Sequence, residues 1–313
     1  MASKERIYLF DTTLRDGQQT PGVDFSVEDK IAVARMLDEF GFDYVEGGYP
    51  GANPTDTAFF AQKRTRDAGF VAFGMTKRAG VSASNDPGLA ALIQAASDAI
   101  CFVAKSWDYH VRVALGCTND ENLESIRASV EASVAAGKET MVDCEHFFDG
   151  YKANPEYALA CAKAAYEAGS RWVVLCDTNG GTQPPEIRSI VETVIAAGIP
   201  GDHLGIHAHD DTGQAVANSL AAIEAGVRQV QGTMNGIGER CGNANLITIL
   251  PTLMLKPAYA DRFVTGLSLD RLADITRLSH AFDELLNRAP NAQAPYVGAS
   301  AFATKAGIHA SAV

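Results

Sequence analysis

His207 and His209 flank a single alanine at the end of the apolar run Leu204-Gly205-Ile206. Residues i and i+2 of an extended strand project to the same side, so the two imidazoles can converge on one metal ion. A pair of hydrogen-bonded core histidines would share that spacing, but His-x-His at the end of a strand favours the metal. A second polar cluster, Asp11-Thr12-Thr13-Leu14-Arg15-Asp16-Gly17-Gln18-Gln19, follows the run Ile7-Tyr8-Leu9-Phe10. Its Arg15 and Asp16 offer a fixed positive charge and a hard oxygen ligand, or else an ion pair that holds a rim. Asp11 either supports this pair from behind or holds the loop. Two imidazole nitrogens and a carboxylate, with other positions open, suit a divalent ion acting on substrate oxygens. Iron oxygenases use the same donors, so the ligands alone leave the reaction open.

Other run ends contribute Glu46, Glu145 and Thr178. A carboxylate buried near a cation is expensive unless paired, so Glu145 is expected to orient Arg15. Thr178, within Asp177-Thr178-Asn179-Gly180-Gly181, offers a hydroxyl to a substrate carboxylate or simply completes a turn. The loop Asn235-Gly236-Ile237-Gly238-Glu239-Arg240-Cys241-Gly242-Asn243 follows the last apolar run. Its glycines let backbone N–H groups approach an anion. Asn243 is a further oxygen ligand or a helix cap.

The elements that must position these groups recur along the chain. An Ala-rich helical stretch ends near Gly or a small polar residue, and a short apolar run follows. Beginning with Ile7–Phe10, the runs are Asp43–Glu46, Phe70–Phe73, Ala99–Val103, Thr140–Val142, Trp172–Leu175, Leu204–Ile206 and Val227–Val230. Gly after a helix supplies a left-handed cap, and short apolar runs suit strands buried on both faces. Eight βα units predict an α/β protein with a closed (β/α)₈ TIM barrel of about 250 residues, whose chemistry sits at the C-terminal ends of the strands. An open doubly wound sheet is the alternative, but no dinucleotide fingerprint follows the first run. The barrel is expected over residues 1–255. Residues 256–313 read as an extension, helical from Leu269 to Asn287 and then rich in Ala, Pro and Gly. The sequence stops at Val313 with no end signal, so a longer natural protein is expected.

With 313 residues, 47% hydrophobic and a net charge of −12, the chain can build a large core. That charge argues against broad-surface nucleic-acid binding, while leaving room for a local pocket for an anionic cofactor. No apolar run approaches the roughly 20 residues of a membrane span, and the first residues lack a signal-peptide core. Six scattered cysteines without a CxxC pair read as reduced thiols of a cytoplasmic protein.

Three longer signatures give these residues a family context. They are Leu14-Arg15-Asp16-Gly17-x-Gln19 followed after ten residues by Lys30, then Leu204-x-x-His207-x-His209-Asp210-Asp211-x-Gly213, then Gly236-x-Gly238-Glu239-Arg240-x-Gly242-Asn243. Together they resemble the 2-isopropylmalate, homocitrate and citramalate synthase family, and the resemblance runs from residue 7 to 313. The segments Tyr44 to Pro54, Lys105 to Asp108 and Asp143 to Gly150 resemble its citramalate-synthase branch.

The resemblance implies a divalent ion (Mg, Mn or Zn) held by Asp16, His207, His209 and Asn243. Arg15 would stabilise developing charge, with Glu145 positioning it. Glu46 and Thr178 would bind the 2-oxo acid, Thr178 through its carboxylate. Gly236, Gly238, Glu239 and Arg240 would face the co-substrate acetyl-CoA, and His309 would act as a catalytic histidine. A catalytic tyrosine and a feedback-binding domain would lie beyond Val313, and by analogy the protein would be a homodimer. The reaction implied is a Claisen-type condensation of acetyl-CoA with pyruvate, or with 2-oxoisovalerate in the 2-isopropylmalate branch. Two other classes share parts of the pattern. 3-Hydroxy-3-methylglutaryl-CoA lyases carry Arg-Asp, His-x-His and a catalytic cysteine in a glycine-rich loop, where Cys241 stands here. The third is a keto-acid-binding barrel without turnover.

Overall fold

The computed structural model describes residues 4–305. In chain order the strands are β1 (Glu5–Arg6), β2 (Tyr8–Asp11), β3 (Tyr44–Gly48), β4 (Gly69–Met75) and β5 (Ala99–Lys105). Next come β6 (Glu139–Glu145), β7 (Trp172–Asp177), β8 (Leu204–Ala208), β9 (Gln229–Gly232) and β10 (Phe263–Val264). Strands β2 to β9 form a closed barrel in sequence order. All their pairings are parallel, and β9 returns to β2 with Tyr8 opposite Gln229 and Asp11 opposite Gly232. The expected (β/α)₈ barrel is therefore the observed fold.

Local chemistry sets the units. Ser26 and Asp29 cap the helix Val27–Phe40 reciprocally, and Gly41 ends it in the left-handed region at φ 112°. Thr118 and Glu121 cap Asn119–Ala135 in the same way. Asn53, Asp86 and Asn154 each cap a helix that opens with proline, where a missing N–H costs nothing. Every residue of β7 is buried, as expected for a strand with the barrel interior on one side and helices on the other.

The strand period of two builds the barrel interior in layers. Phe10, Val71, Cys101, Met141, Trp172 and Val174 belong to an apolar cluster inside the barrel, separate from the larger core between strands and helices. Stepping two residues toward the C-terminal end replaces Val71 by Phe73, Cys101 by Val103, Met141 by Asp143 and Gly205 by His207. One more step reaches Lys105, Glu145, Thr178 and His209. Those upper residues line a cavity at the mouth. The same alternation that plugs the floor therefore delivers the polar groups above it.

Three details depart from the sequence expectation. The last barrel strand begins at Gln229 rather than Val227, because the Val227 N–H still donates to the Ala222 carbonyl at the end of the preceding helix. The helix expected from Leu269 to Asn287 is two pieces, Leu269–Leu272 and Ile275–Leu285. Beyond the eight barrel strands, β1 and β10 pair in parallel, Glu5 opposite Phe263 and Arg6 opposite Val264. This pairing stitches the chain after residue 255 onto its beginning. The helix Ile275–Leu285 packs on Val27–Phe40, and its Ser279 and Asp283 bond the side chain of Asn235. No helix among the described residues is long and apolar enough to cross a membrane.

Candidate active site

A cavity of about 380 Å³ opens at the C-terminal mouth of the barrel. Asp16, His207 and His209 meet in its wall, all buried, with one donor atom from each inside a 4.8 Å cluster. His207 Nε2 lies 3.0 Å and His209 Nε2 3.8 Å from Asp16 Oδ2, and the two Nε2 atoms are 3.3 Å apart. Asp16 Oδ1 and Asn243 Oδ1 are buried without a hydrogen-bond partner. Orphaned buried oxygens are expensive, and two imidazoles with a carboxylate and an amide oxygen are a donor set for a divalent cation. The residues present fit such an ion.

Asn243 is brought beside His209 by backbone pairing and is not among the residues that line the cavity. It forms an antiparallel bridge with His209, and its Nδ2 donates to the Ile237 carbonyl at 3.1 Å. The loop that carries it closes tightly, with Asn243 N donating to Gly236 O at 3.0 Å. Gly242, at φ 95°, lies so close that a Cβ there would overlap the Gly236 carbonyl oxygen. The glycines are thus required by the turn.

Charges in the wall divide sharply. Burial would raise the Asp16 carboxyl, yet Arg15, the His207 bond and both imidazoles hold it well below the ordinary range. Burial opposes the His207 imidazolium, but bonding to Asp16 outweighs it and the pKa is raised. Burial and then neighbouring His207 push His209 down to about 3. One imidazole is therefore neutral at any physiological pH, ready as a ligand.

Arg15 is held on several sides. Its Nε donates to Glu46 Oε2 at 2.8 Å. Its Nη1 is 3.4 Å from Asp16, and its Nη2 3.9 Å from Asp143. The guanidinium lies over the Phe73 ring, 4.0 Å from the centroid. Glu46 is fully buried behind it, takes a second bond from the Thr12 hydroxyl, and is absent from the cavity wall. The expected contact between Glu145 and Arg15 is not formed. Glu145 stands opposite Lys105 in the β5–β6 register and pairs with it instead. Register couples neighbours, and Arg15 lies across the mouth beside Glu46.

Thr178 and Glu239 line the cavity. The Thr178 hydroxyl oxygen accepts the His146 N–H at 2.8 Å. Arg240 is exposed, and its guanidinium binds Asp211 at 2.8 and 2.9 Å and the Thr178 carbonyl at 2.6 Å. The Gly238 carbonyl accepts from Thr20 at 3.1 Å. Cys241 is exposed, and His309 lies outside the described residues. Asp143, Lys105 and Gln231 carry contacts to which the motifs assigned no role. Asp143 could have been found by period: it precedes Glu145 by two on the same strand.

The description of an HMGL-like family matches residues 6–278, most of the chain. The chain belongs to the HMGL-like family. Among sequence relatives, this HMGL-like barrel is 52% identical to the (R)-citramalate synthase of Streptomyces coelicolor, over 99% of this chain and 57% of the relative. It is 33% identical to the 2-isopropylmalate synthase of Solidesulfovibrio magneticus, over 99% of this chain and 59% of the relative. The chain thus spans a little over half the length of these curated relatives. Among solved structures it resembles an HMG-CoA lyase of Bacillus subtilis, with a TM-score of 0.76 at 20% identity, covering 92% of this chain and 96% of that one. At that identity the likeness is one of fold.

Proposed function

We propose that this chain is the catalytic barrel of a citramalate synthase, condensing acetyl-CoA with pyruvate to give citramalate and CoA. The observation that carries the reading is the Asp16–His207–His209 cluster beside a clamped Arg15 in one cavity, in a chain 52% identical to an (R)-citramalate synthase. Residues 1–255 would form the catalytic barrel, and 256–313 the start of a further subdomain. A cytoplasmic homodimer completes the reading.

In the reaction, a base removes a proton from the acetyl methyl group. The enolate carbon then attacks the keto carbon of pyruvate, and water cleaves the thioester to release CoA. A divalent ion (Mg, Mn or Zn) held by Asp16, His207, His209 and Asn243 would supply Lewis-acid polarisation of the keto oxygen. Arg15 serves developing oxyanions. Glu46, Asp16 and Phe73 fix its plane before substrate arrives, so little reorganisation is left for the transition state. Because the Thr178 oxygen already accepts a backbone N–H, its own proton is available to the pyruvate carboxylate. Glu145, paired with Lys105, presents a local charge pair at the rim. Its role toward Arg15 is at most indirect. Gly236, Gly238, Glu239 and Arg240 form the loop assigned to the acetyl-CoA side, and the catalytic histidine role rests with His309.

Phe73, Met75 and Val103 supply the apolar part of the cavity wall. Tyr49, from the Gly47-Gly48-Tyr49-Pro50 turn, packs edge-on against Phe73 with centroids 6.1 Å apart. Gly48 needs its φ of 132°, and a Cβ there would come within 2.6 Å of Asp56. The turn thus buttresses a wall suited to a methyl group. Mass spectrometry of the product formed by the full-length protein from ¹³C-labelled pyruvate and acetyl-CoA tests the assignment. A labelled citramalate supports it; label left wholly in pyruvate, with 2-oxoisovalerate consumed instead, moves the protein to the 2-isopropylmalate branch.

A further inference from the structure

Gln231 is fully buried on β9 and joins three strands. Its Nε2 donates to Asp143 Oδ1 on β6 at 2.9 Å. Its Oε1 lies 2.8 Å from His207 Nδ1 on β8, its direct partner in the β8–β9 register. A carboxylate accepts and does not donate, so Asp143 fixes which end of the Gln231 amide it meets. The carbonyl end is then left for His207, and a carbonyl can only accept. His207 Nδ1 must carry the proton, which makes Nε2 the bare nitrogen of the neutral ring. Nε2 is the nitrogen that faces Asp16 Oδ2 and His209 Nε2, so a divalent ion binding there takes the place of the proton that Nε2 shares with Asp16. His209 has no such anchor, since its Nδ1 is buried without a partner.

The contacts continue around the mouth. Asp143 approaches Arg15, and Arg15 approaches Asp16. Asp16, His207, Gln231, Asp143 and Arg15 therefore form a closed ring of polar contacts. The amide of Gln231 links Asp143 and His207 within that ring.

We infer that Gln231 is a positioning residue that, oriented by Asp143, sets the His207 tautomer so that Nε2 is free to bind the divalent ion. This inference rests on the metal reading of the cluster. It assigns the two imidazoles different tautomer control: His207 has its Nδ1 anchored by the protein, and His209 does not.

The test uses zinc alone with the full-length protein. Zinc affinity is measured by competition with a chelator, and the histidine nitrogens are followed by ¹⁵N NMR of histidine-labelled protein. In the zinc-loaded wild type, His207 is expected to be protonated at Nδ1 and zinc-bound at Nε2. Gln231→Met, similar in shape but without the amide, should weaken zinc binding by about 10–100-fold, the usual effect of losing a partner behind a metal-bound histidine. Asp143→Asn leaves Gln231 in place but frees its orientation, and should weaken zinc in the same direction. Circular dichroism separates both from misfolding. If Gln231→Met does not fold, Asp143→Asn and the wild-type spectrum decide. Zinc bound at Nδ1 of His207, or unchanged affinity in the folded variants, would overturn the inference. Failure of the wild type itself to take up zinc would remove the metal reading, a result distinct from equal binding by the variants.

Discussion

The Arg15 Nε–H donates to Glu46 Oε2 across 2.8 Å, while Glu46 is wholly buried. A loop guanidinium is thereby anchored to the end of the next barrel strand, with its remaining nitrogens turned toward Asp16 and Asp143. That geometry makes Arg15 a preorganised donor rather than a mobile surface charge.

Arg15→Lys keeps the charge but loses the planar fork that Glu46, Asp16 and Phe73 together hold. Turnover by the full-length protein should fall by ~10²–10³, as for removal of one oxyanion donor, with the melting temperature little changed. Near-wild-type turnover would reduce Arg15 to a structural ion pair.

Asp11 predicts a pH effect on stability. Burial, opposed by bonds from the Thr13 N–H and hydroxyl, raises its carboxyl from 3.8 to about 7. The folded state therefore holds a proton between about pH 4 and 7 that the unfolded state releases. Stability from this group is present below pH 4 and is lost as pH rises toward 7. Asp11→Asn should remove that loss, so the variant gains melting temperature relative to wild type between pH 4 and 7. His209 acts oppositely in part of this range. Its lowered value near 3 gives stability present above pH 6.5 and lost as pH falls, which the Asp11 variant leaves intact. Parallel melting curves for variant and wild type across this window would contradict the assignment.

Lys30 ties the loop that carries Arg15 to the end of β3. Its buried Nζ donates to the Leu14 and Gly47 carbonyls, each at 2.9 Å, and pairs with Asp56. Lys30→Met would leave Asp56 as an uncompensated buried charge, a loss of about 3–5 kcal/mol for breaking a buried pair from one side. Urea denaturation measures it; a loss typical of a surface substitution would show that the Arg15 loop and β3 do not depend on Lys30.

The apolar wall of Phe73, Met75 and Val103 predicts substrate preference. An isopropyl group adds two carbons where pyruvate has a methyl, and overfilling a packed pocket costs about 1–3 kcal/mol. The full-length protein should favour pyruvate over 2-oxoisovalerate in kcat/KM by roughly 10–200-fold, the span available to small apolar differences. A preference for 2-oxoisovalerate under the same conditions would overturn the citramalate assignment while leaving the barrel and the metal cluster intact.

The sequence made the barrel legible because each unit repeats the same helix-cap-strand punctuation, and because alternate strand residues must share a face. His207 and His209 converge for that reason, and Asp16 joins them from the loop after β2. Pairing across strands was not legible. Nothing in the sequence states that Lys105 stands opposite Glu145 or that Gln231 stands opposite His207. The charge argument paired Glu145 with Arg15, whereas the register gives Glu145 to Lys105 and Arg15 is held by Glu46. Strands β1 and β10, two residues each, are too short to carry a pattern at all.

Free-thiol release from acetyl-CoA by the full-length protein tests the central claim most directly. It should require both pyruvate and a divalent ion, and it should be abolished in the His207→Ala/His209→Ala double variant, which should also lose most bound metal by elemental analysis. Thiol release that persists without pyruvate, or undiminished in a double variant with unchanged metal content, would contradict a metal-dependent condensation at this cluster.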